Sequence, residues 1–347
     1  MTSPKVRSTP DASKRAVTSI EVAARAGVSQ SAVSRTFSVG TSVSDETRRK
    51  VMRAARELSY RPNAIARTLS TRQSNIIGIV LSTFENQLYP VVVEQLSRAL
   101  QLQGKHTMLF LADKQDSDSA FNEILSYQLD GVVIASATLA SKLAKQCADM
   151  GIPVVMFNRA TDGTSTDSVT SDNRRAGQLI GEHLIATGHK RIAYISGRED
   201  SSTNRDREYG LREALRLSDM ALFAQANGNY EQAQASAAAV KLMSERNKPD
   251  AIVVASDHMA FAVMDTLRYA LHLHVPNDVS VVGFDDVPQS SWLSYQLTTV
   301  AQSVEKMVRA TVELLMSPVS SGHGVSRNVV VTCDLVERNS VTQRTRA

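Results

Sequence analysis

The chain has 347 residues, of which 42% are hydrophobic and 21% are charged, so it can bury a core larger than that of one average domain. Its formal net charge of +4 is unevenly divided: residues 1–72 hold 14 Lys and Arg against 5 Asp and Glu, whereas the remainder holds 25 against 30. A basic segment before an acidic body favours a polyanionic partner, although a charge run is more often only solvated surface.

Several classes of protein are disfavoured by the sequence. The start has no apolar stretch typical of a secretory signal, and no run approaches the length of a membrane span, so we expect a cytoplasmic protein with no membrane partner. Cys147 and Cys333 lie far apart in apolar surroundings without metal or redox spacing, and we expect them to be small core residues in a reducing compartment. We expect no cofactor and no metal.

The first structured segment is predicted to be residues 17–61, after a mobile tail over residues 1–16 that is rich in Ser, Pro, Lys and Arg. Thr18 and Glu21 have the spacing of a capping box at the start of a helix. An apolar stripe at helical spacing follows, and Gly27 suits the position that ends such a helix.

Two further helices are predicted in the same segment. Ser29 is suited to begin a short helix that runs to Phe37, and Ser44 is suited to begin a third helix that runs to about Tyr60. Two short helices joined at a glycine and backed by a third are typical of a helix-turn-helix unit. The alternative is an unspecialised three-helix bundle with a polar surface.

The outward side of the second helix carries Gln30, Ser31, Ser34 and Arg35. Ser31 and Arg35 are four residues apart and therefore share one helical face. Arg and Gln side chains can form paired hydrogen bonds with base edges, and small serines let a helix lie deep in a groove while they bind phosphates. Together with the excess of positive charge, this pattern indicates DNA binding.

The stretch "TSIEVAARAGVSQSAVSRTF", with "VSDETRRKVMRAARELSYRPNAIARTLSTRQSNIIGIV" after it, resembles the start of a LacI/GalR-family transcription regulator. The resemblance implies that Gln30, Ser31 and Arg35 contact bases in the major groove, and that Ser29 and Ser34 bind phosphates. Three residues depart from the family's usual pattern and leave the operator sequence open: Ser19, Ala32 and Ser38.

Residues 62–73 are predicted to form a hinge helix and linker. Pro62 suits a helix start, but residues 64–69 form barely two turns, too few to persist alone in water. The resemblance implies that this helix orders on the operator and that Leu69 is inserted in the minor groove, although Leu69 can instead pack on the body. The expected DNA contacts are Thr18, Ser29, Gln30, Ser31, Ser34, Arg35, Ser44, Asn63, Ala66 and Leu69.

Residues 74–340 are predicted to form an α/β body, followed by a tail over residues 341–347. Continuous apolar strands that alternate with helices are typical of parallel, doubly wound sheets covered on both faces. The polar stretch 159–172 suits a crossover between two lobes. The predicted strands are 76–81, 106–112, 131–136, 152–158, 191–197, 221–226, 251–256 and 279–285, and the predicted helices are 89–103, 173–187, 205–217, 230–245 and 258–271.

The family resemblance implies a two-lobed body like that of a periplasmic sugar-binding protein, with a cleft between the lobes and three chain crossings. The first lobe is expected to combine residues 74–160 with 290–322. The second lobe is expected to combine residues 161–289 with 323–340. The predicted fold class is therefore an all-α helix-turn-helix head followed by this α/β body.

Ligands of such sheets lie beyond the carboxyl ends of the strands, where Arg159 and Asp257 are also found. The resemblance implies that Arg207 and Asp285 bind the effector. Phe84 can stack on an apolar face of the ligand or pack at the rim, and Trp292 is expected in a hinge or an interface. The expected effector contacts are Ser82, Phe84, Asn86, Asn158, Arg207, Ser256 and Asp285.

No enzymatic activity is expected, because adjacent Asp285 and Asp286 point to opposite faces of a strand and no nucleophile elbow, phosphate loop or zinc motif occurs. The predicted function is a transcription regulator, a repressor, whose affinity for a double-stranded DNA operator is controlled by a small-molecule effector, a sugar or related metabolite. We expect a homodimer, because no leucine heptad follows the last strand. The alternative is a ligand-binding receptor of periplasmic transport type without DNA function.

Overall fold

The computed structural model contains two compact units, Met1–Ser74 and Asn75–Ala347, called the head and the body below. The predicted tail over residues 1–16 and nearly all of the predicted hinge lie outside the residues that are described. The described ranges are 17–37, 42–61, 73–111, 124–135, 140–160, 166–317 and 326–344.

Helices α1 (Ser19–Ala26), α2 (Gln30–Phe37) and α3 (Asp45–Glu57) form the head. The predicted capping box is present at the start of α1. The backbone N–H of Thr18 donates to Oε2 of Glu21 at 2.7 Å, and Oγ1 of Thr18 accepts from the backbone N–H of Glu21 at 3.4 Å. These two bonds satisfy backbone and side-chain groups that a helix start otherwise leaves to water.

The predicted end of α1 and the predicted starts of α2 and α3 are also confirmed, whereas α3 ends at Glu57 and not at about Tyr60. Gly27 has φ of 65°, a left-handed conformation that ends α1 and that glycine adopts without strain. Oγ of Ser29 accepts from the backbone N–H of Ala32 at 3.3 Å, and Oγ of Ser44 accepts from that of Thr47 at 3.2 Å. The serines therefore cap α2 and α3 as the sequence predicts.

The apolar sides of the three helices pack against one another. Small side chains dominate this core, so the helices approach closely, and the rings of Phe37 and Tyr60 lie 5.8 Å apart at its edge. The outer faces of the helices remain for solvent or a partner. The buried core residues are Val22, Ala23, Val33, Val51, Ala54 and Ala55.

A six-stranded parallel sheet forms the first lobe of the body. Its strands are β1 (Ile76–Leu81), β2 (His106–Leu111), β3 (Gly131–Ile134), β4 (Val154–Phe157), β5 (Asp167–Ser171) and β11 (Asn328–Val331), in the order β11–β5–β4–β3–β1–β2. Alternate residues of β3 contribute to separate apolar clusters, Val133 to one and Val132 and Ile134 to the other. The sheet is therefore covered on both faces, by α4 (Leu88–Leu102), α5 (Ala140–Asp149) and α10 (Val304–Met316).

A four-stranded parallel sheet forms the second lobe. Its strands are β6 (Ile192–Ser196), β7 (Ala224–Asn227), β8 (Ala251–Val254) and β9 (Ser280–Val282), in the order β7–β6–β8–β9. Its helices are α6 (Asn173–Ala186), α7 (Ser202–Leu217), α8 (Gln232–Ser244) and α9 (Asp257–Asp265), and one π-helical turn over Thr266–Ala270 follows α9. The predicted α/β doubly wound fold is therefore confirmed.

The chain passes between the lobes three times. It leaves the first lobe after β5, returns through β10 (Thr299–Gln302) and crosses again through β12 (Cys333–Val336). Strands β10 and β12 pair in antiparallel fashion, so two of the crossings support each other. No helix in the described ranges is both long enough and apolar enough to span a membrane.

Two predicted lobe boundaries are displaced from the observed sheet. The family resemblance implies that residues 161–171 and 323–331 belong to the second lobe, but β5 and β11 are adjacent strands of the first sheet. Strand β5 has the polar sequence DSVTS, so it lacks the apolar run that predicts a buried strand. Its serines can be buried because they form hydrogen bonds. Oγ of Ser168 donates to Oδ1 of Asn328 at 2.7 Å, and Oγ of Ser171 donates to Oε1 of Gln302 at 2.8 Å.

Candidate functional site

Helix α2 has one packed side and one exposed polar side. Ala32 and Val33 are buried, whereas the side chains on the other side of the helix are exposed. The exposed set, called the α2 polar face below, is Ser29, Gln30, Ser31, Ser34 and Arg35. All five are among the residues predicted to contact DNA.

Local hydrogen bonds orient the α2 polar face. Nε2 of Gln30 donates to Oγ of Ser19 on α1 at 3.1 Å, which ties the amide to the neighbouring helix. The hydroxyls of Ser29 and Ser31 lie 2.9 Å apart, and Nε of Arg35 donates to the carbonyl of Ser31 at 3.4 Å. Ser19, a departure from the family pattern, thus holds a predicted base-contacting side chain.

Thr18 and Ser44 are the helix caps of α1 and α3, and Ser44 is exposed. Helix amino termini present backbone N–H groups and a positive dipole end, which favour phosphate oxygens nearby. The remaining predicted DNA contacts, Asn63, Ala66 and Leu69, lie outside the described residues.

A cavity of about 670 Å³ lies between the two lobes of the body. Its walls are formed by residues that follow the carboxyl ends of strands of both sheets, as expected for parallel α/β folds. Of the predicted effector contacts, five line this cavity: Ser82, Asn86, Asn158, Arg207 and Asp285.

Two predicted effector contacts, Phe84 and Ser256, do not line the cavity. Ser256 is buried at the start of α9, where its hydroxyl lies 3.0 Å from Nδ1 of His258. Phe84 is 37% exposed on the segment after β1. The structure therefore gives no support to either as a ligand contact.

Arg207 is held in the cavity wall by a close contact between α6 and α7. A Cβ atom on Gly177 would lie 2.1 Å from the carbonyl oxygen of Arg207, so only glycine permits this approach. Nε of Arg207 donates to Oδ1 of Asn173 at 2.8 Å, and Nη1 donates to the carbonyl of Ala255 at 2.6 Å. Its guanidinium carbon lies 3.4 Å from the ring centroid of Phe284.

Asp285 lies beside Arg207, with 3.8 Å between Nη2 and Oδ1. Its Oδ1 accepts from Nε2 of Gln302 at 2.6 Å, and its Oδ2 accepts from Nδ2 of Asn86 at 3.0 Å. Burial raises the pKa of Asp285, although Arg207 and the two amide donors oppose that rise. Because Asn86 follows β1 and Asp285 follows β9, the bond between them joins the two lobes across the cavity.

Other polar side chains line the cavity without a motif that marks them in the sequence. Arg159 and Arg198 add positive charge, and Tyr89 and Tyr230 add hydroxyl groups. Arg159 lies two residues after the end of β4, at the strand-end position that the sequence predicts for it. No group of three or more His, Cys, Asp or Glu residues in the described ranges is arranged to hold a metal.

A three-helix head with an exposed polar recognition surface, joined to a two-lobed body with a polar cleft, defines a ligand-responsive DNA-binding regulator. The sequence pattern described as "Bacterial regulatory proteins, lacI family" matches residues 20–63. The pattern described as "Periplasmic binding proteins and sugar binding domain of LacI family" matches residues 74–339. The chain therefore belongs to the LacI family and is a transcription regulator with DNA-binding and effector-binding domains.

Named relatives extend over almost the whole chain. It is 26% identical to the transcriptional repressor PurR of Aliivibrio salmonicida over 330 residues, which cover 92% of this chain and 98% of that protein. It is 30% identical to catabolite control protein A of Priestia megaterium over 304 residues, which cover 86% and 91%. Among solved structures, it is similar to the Lac repressor dimer bound to operator and the anti-inducer ONPF, with a TM-score of 0.84, 28% identity and coverage of 94% and 100%.

Proposed function

We propose that two copies of this chain bind a roughly palindromic operator and repress transcription, and that an effector in the body cleft controls this binding. The observation that carries the proposal is the division of α2 into a packed side and the α2 polar face, on a unit with strong positive charge. A helix of this kind can enter the major groove while its neighbours contact the backbone. Selection of binding sites from random DNA duplexes by the full-length protein tests the proposal, which predicts enrichment of a two-fold symmetric sequence.

The proposed DNA contacts have different tasks. Gln30, Ser31 and Arg35 are assigned to base edges, because their exposed amide, hydroxyl and guanidinium groups can discriminate bases. Ser29, Ser34 and the caps of α1 and α3 are assigned to phosphates. Phosphate contacts position the protein on the duplex but do not distinguish one base sequence from another. Asn63, Ala66 and Leu69 are assigned to the minor groove at the operator centre.

The proposed effector control works through the geometry of the cleft. A ligand that forms a hydrogen bond with Asp285 competes with the bond from Asn86. Such a ligand therefore changes the contacts between the two lobes. It shifts DNA binding only if its affinity differs between DNA-competent and incompetent lobe arrangements. We propose Ser82, Asn86, Asn158, Arg207 and Asp285 as effector contacts.

The relative PurR is a transcriptional repressor, and we propose that this chain likewise acts on bacterial DNA in the cytoplasm and has no enzymatic activity. A periplasmic transport receptor is the second candidate function, since the body pattern also describes periplasmic binding proteins. The matched regulatory head over residues 20–63 favours the regulator.

The replacement Arg35→Ala is expected to weaken operator binding by about 1–3 kcal/mol, or roughly 5- to 150-fold, and to relax base preference. The reason is that alanine removes the guanidinium that we assign to a base edge. The measurement is a fluorescence titration with the selected operator and with single-base variants of it. Arg56→Ala removes the same charge from the exposed surface of α3 and should leave base preference unchanged. Equal base preference in wild type and Arg35→Ala would contradict this role.

Dimerisation is proposed to use an exposed apolar surface of the body. Tyr269, Trp292 and Leu293 are 75%, 54% and 94% exposed, and clustered exposed apolar side chains mark interaction sites. Tyr269 and Trp292 line the same groove. The similar Lac repressor structure is a dimer on its operator, which supports a second copy as the occupant.

Leu293→Asp is expected to convert the dimer to a monomer at micromolar concentration and to weaken operator binding, because a charge would be buried at the interface. Sedimentation velocity measures the mass. The control Leu217→Asp changes another exposed leucine, 68% exposed at the end of α7, and should remain dimeric. A dimeric Leu293→Asp protein would place the interface elsewhere.

A further inference from the structure

The Arg159 side chain is a buried cation in the cleft wall. The residue is 7% exposed, and its Nε atom is buried without a hydrogen-bond partner. In the described part of the chain, no carboxylate lies within ion-pairing distance of its guanidinium. Its side chain lines the cavity between the lobes. A ligand placed in that cavity is therefore the available partner for this charge.

The two other arginines of the cavity wall differ from Arg159 because protein groups satisfy them. Arg207 is bonded to Asn173 and to a backbone carbonyl, and it lies beside Asp285. Arg198 donates to both carboxylate oxygens of Asp200, at 2.9 and 2.6 Å. Protein carboxylates balance these two charges and leave Arg159 as the unbalanced one.

An arginine stays protonated in proteins, so Arg159 cannot relieve its burial by losing a proton. Burial lowers the pKa of Arg159, and the nearby Tyr89, Asp200 and Tyr230 only partly oppose this effect. A buried charge without a partner destabilises the folded protein, and an anion that forms paired hydrogen bonds with the guanidinium removes that cost.

The preceding residue provides a second unsatisfied group. Oδ1 of Asn158 is buried without a hydrogen-bond donor, and Asn158 also lines the cavity. Its φ of 55° is a left-handed conformation, which turns the chain between β4 and Arg159. An amide oxygen accepts hydrogen bonds only, so its ligand partner must carry a donor such as a hydroxyl.

A hydroxyl donor lies near the same place. Tyr89 lines the cavity, and the charges of Arg159, Asp285 and Arg207 all act on its hydroxyl. Burial raises the pKa of Tyr89 to about 12, so the hydroxyl is neutral at physiological pH and can donate to a ligand oxygen. The wall thus combines a cation, a neutral donor and an acceptor.

We propose that the effector is a hydroxylated acid whose carboxylate or phosphate group binds the guanidinium of Arg159. Its hydroxyl groups donate to Oδ1 of Asn158 and to the carboxylate of Asp285. The inference rests on the proposed effector role of the cleft and specifies the chemical class of its ligand. A neutral sugar can accept hydrogen bonds from Arg159, but it brings no negative charge to the guanidinium.

The test compares acids with matched neutral compounds on the full-length protein at constant ionic strength. The acidic probes are D-gluconate, D-glucose 6-phosphate and inorganic phosphate, and the neutral probes are D-glucitol and D-glucose. Thermal unfolding is followed as each probe is titrated, because a compound that binds only the native state raises its unfolding temperature by mass action. We expect stabilisation by the acids and not by their neutral partners. The gluconate and glucose 6-phosphate arms separate a carboxylate site from a phosphate site.

Variants assign the effect to Arg159. Arg159→Gln is expected to weaken acid binding by roughly tenfold or more, the loss expected for a charged hydrogen bond, and to leave the ligand-free protein at least as stable as wild type. Arg159→Lys keeps the charge and should retain weaker binding, which preserves the test if the glutamine variant does not fold. The control Arg216→Gln removes an exposed arginine paired with Glu213 and should bind acids as wild type does.

Three outcomes would overturn the inference. They are equal stabilisation by acidic and neutral probes, no stabilisation of wild type by any acidic probe, and acid binding that persists unchanged in Arg159→Gln, which would place the anion elsewhere. Operator binding by the ligand-free protein is measured separately. A failure there would contradict the proposed function, whereas the outcomes above concern only the class of effector.

Discussion

Removal of residues 1–72 should abolish specific operator binding while the remaining body still binds its effector. The head is a separate compact unit and carries every described residue that we assign to DNA. Specific complexes are typically about 10³-fold or more tighter than non-specific ones, so the expected loss is at least of that order. The measurements are a titration with labelled operator and, in parallel, thermal stabilisation by the effector.

A shorter deletion provides the control. Removal of residues 1–16 leaves α1, α2 and α3 intact and should retain the base preference of the full chain. If the body alone bound the operator with the specificity of the intact protein, DNA recognition would have to lie outside the helix-turn-helix unit.

The replacement Asp285→Asn should have the largest effect within the body. Asp285 lies beside Arg207 in the interior and accepts hydrogen bonds from Asn86 and Gln302. Asparagine removes the carboxylate that lies beside Arg207. Its amide N–H group would also face the amide donor of Asn86 or of Gln302. Loss of one partner from a buried ion pair costs about 3–5 kcal/mol, so we expect a lower unfolding free energy and no effector response.

Asp286→Asn is the matched control for that replacement. Asp286 is the next residue, pairs with Arg338 at 2.7 Å and does not line the cavity. It should therefore keep its response to effector. Denaturant unfolding measures the stability of both variants, and operator titration with and without effector measures the response. A normal effector response in Asp285→Asn would exclude the carboxylate as a ligand contact.

Periodicity and capping residues predicted most of the fold. The head helices could be predicted because Thr18, Gly27, Ser29 and Ser44 act locally, through bonds to backbone groups within three or four residues. Each of the eight predicted strands of the body overlaps an observed strand, and most of them are continuous apolar runs; β7 (Ala224–Asn227) is an exception, because alanines alternate with polar residues. Strands β5, β10, β11 and β12 are not among those eight, and β5 in particular consists largely of polar residues.

The site could be predicted only in part, for a related reason. Arg207 and Asp285 stand in recognisable stretches of sequence, and both line the cavity. Ser256 is predicted to line the cavity too, but its hydroxyl forms a hydrogen bond with His258. Which partner this hydroxyl has depends on packing and cannot be inferred from the position of Ser256 in the sequence. The isolation of Arg159 likewise depends on where Asp200 and Asp285 place their carboxylates, which only the folded chain determines.

The most direct test of the account is selection of binding sites from a random library of DNA duplexes by the full-length protein, repeated with Arg35→Ala. We expect wild type to enrich a two-fold symmetric sequence with half-sites about one helical turn, or a multiple of one turn, apart, as paired recognition helices require. We expect Arg35→Ala to lose preference at one base position in each half-site. If wild type enriches no sequence over the starting library, with or without cell metabolites, the head does not recognise DNA as we describe.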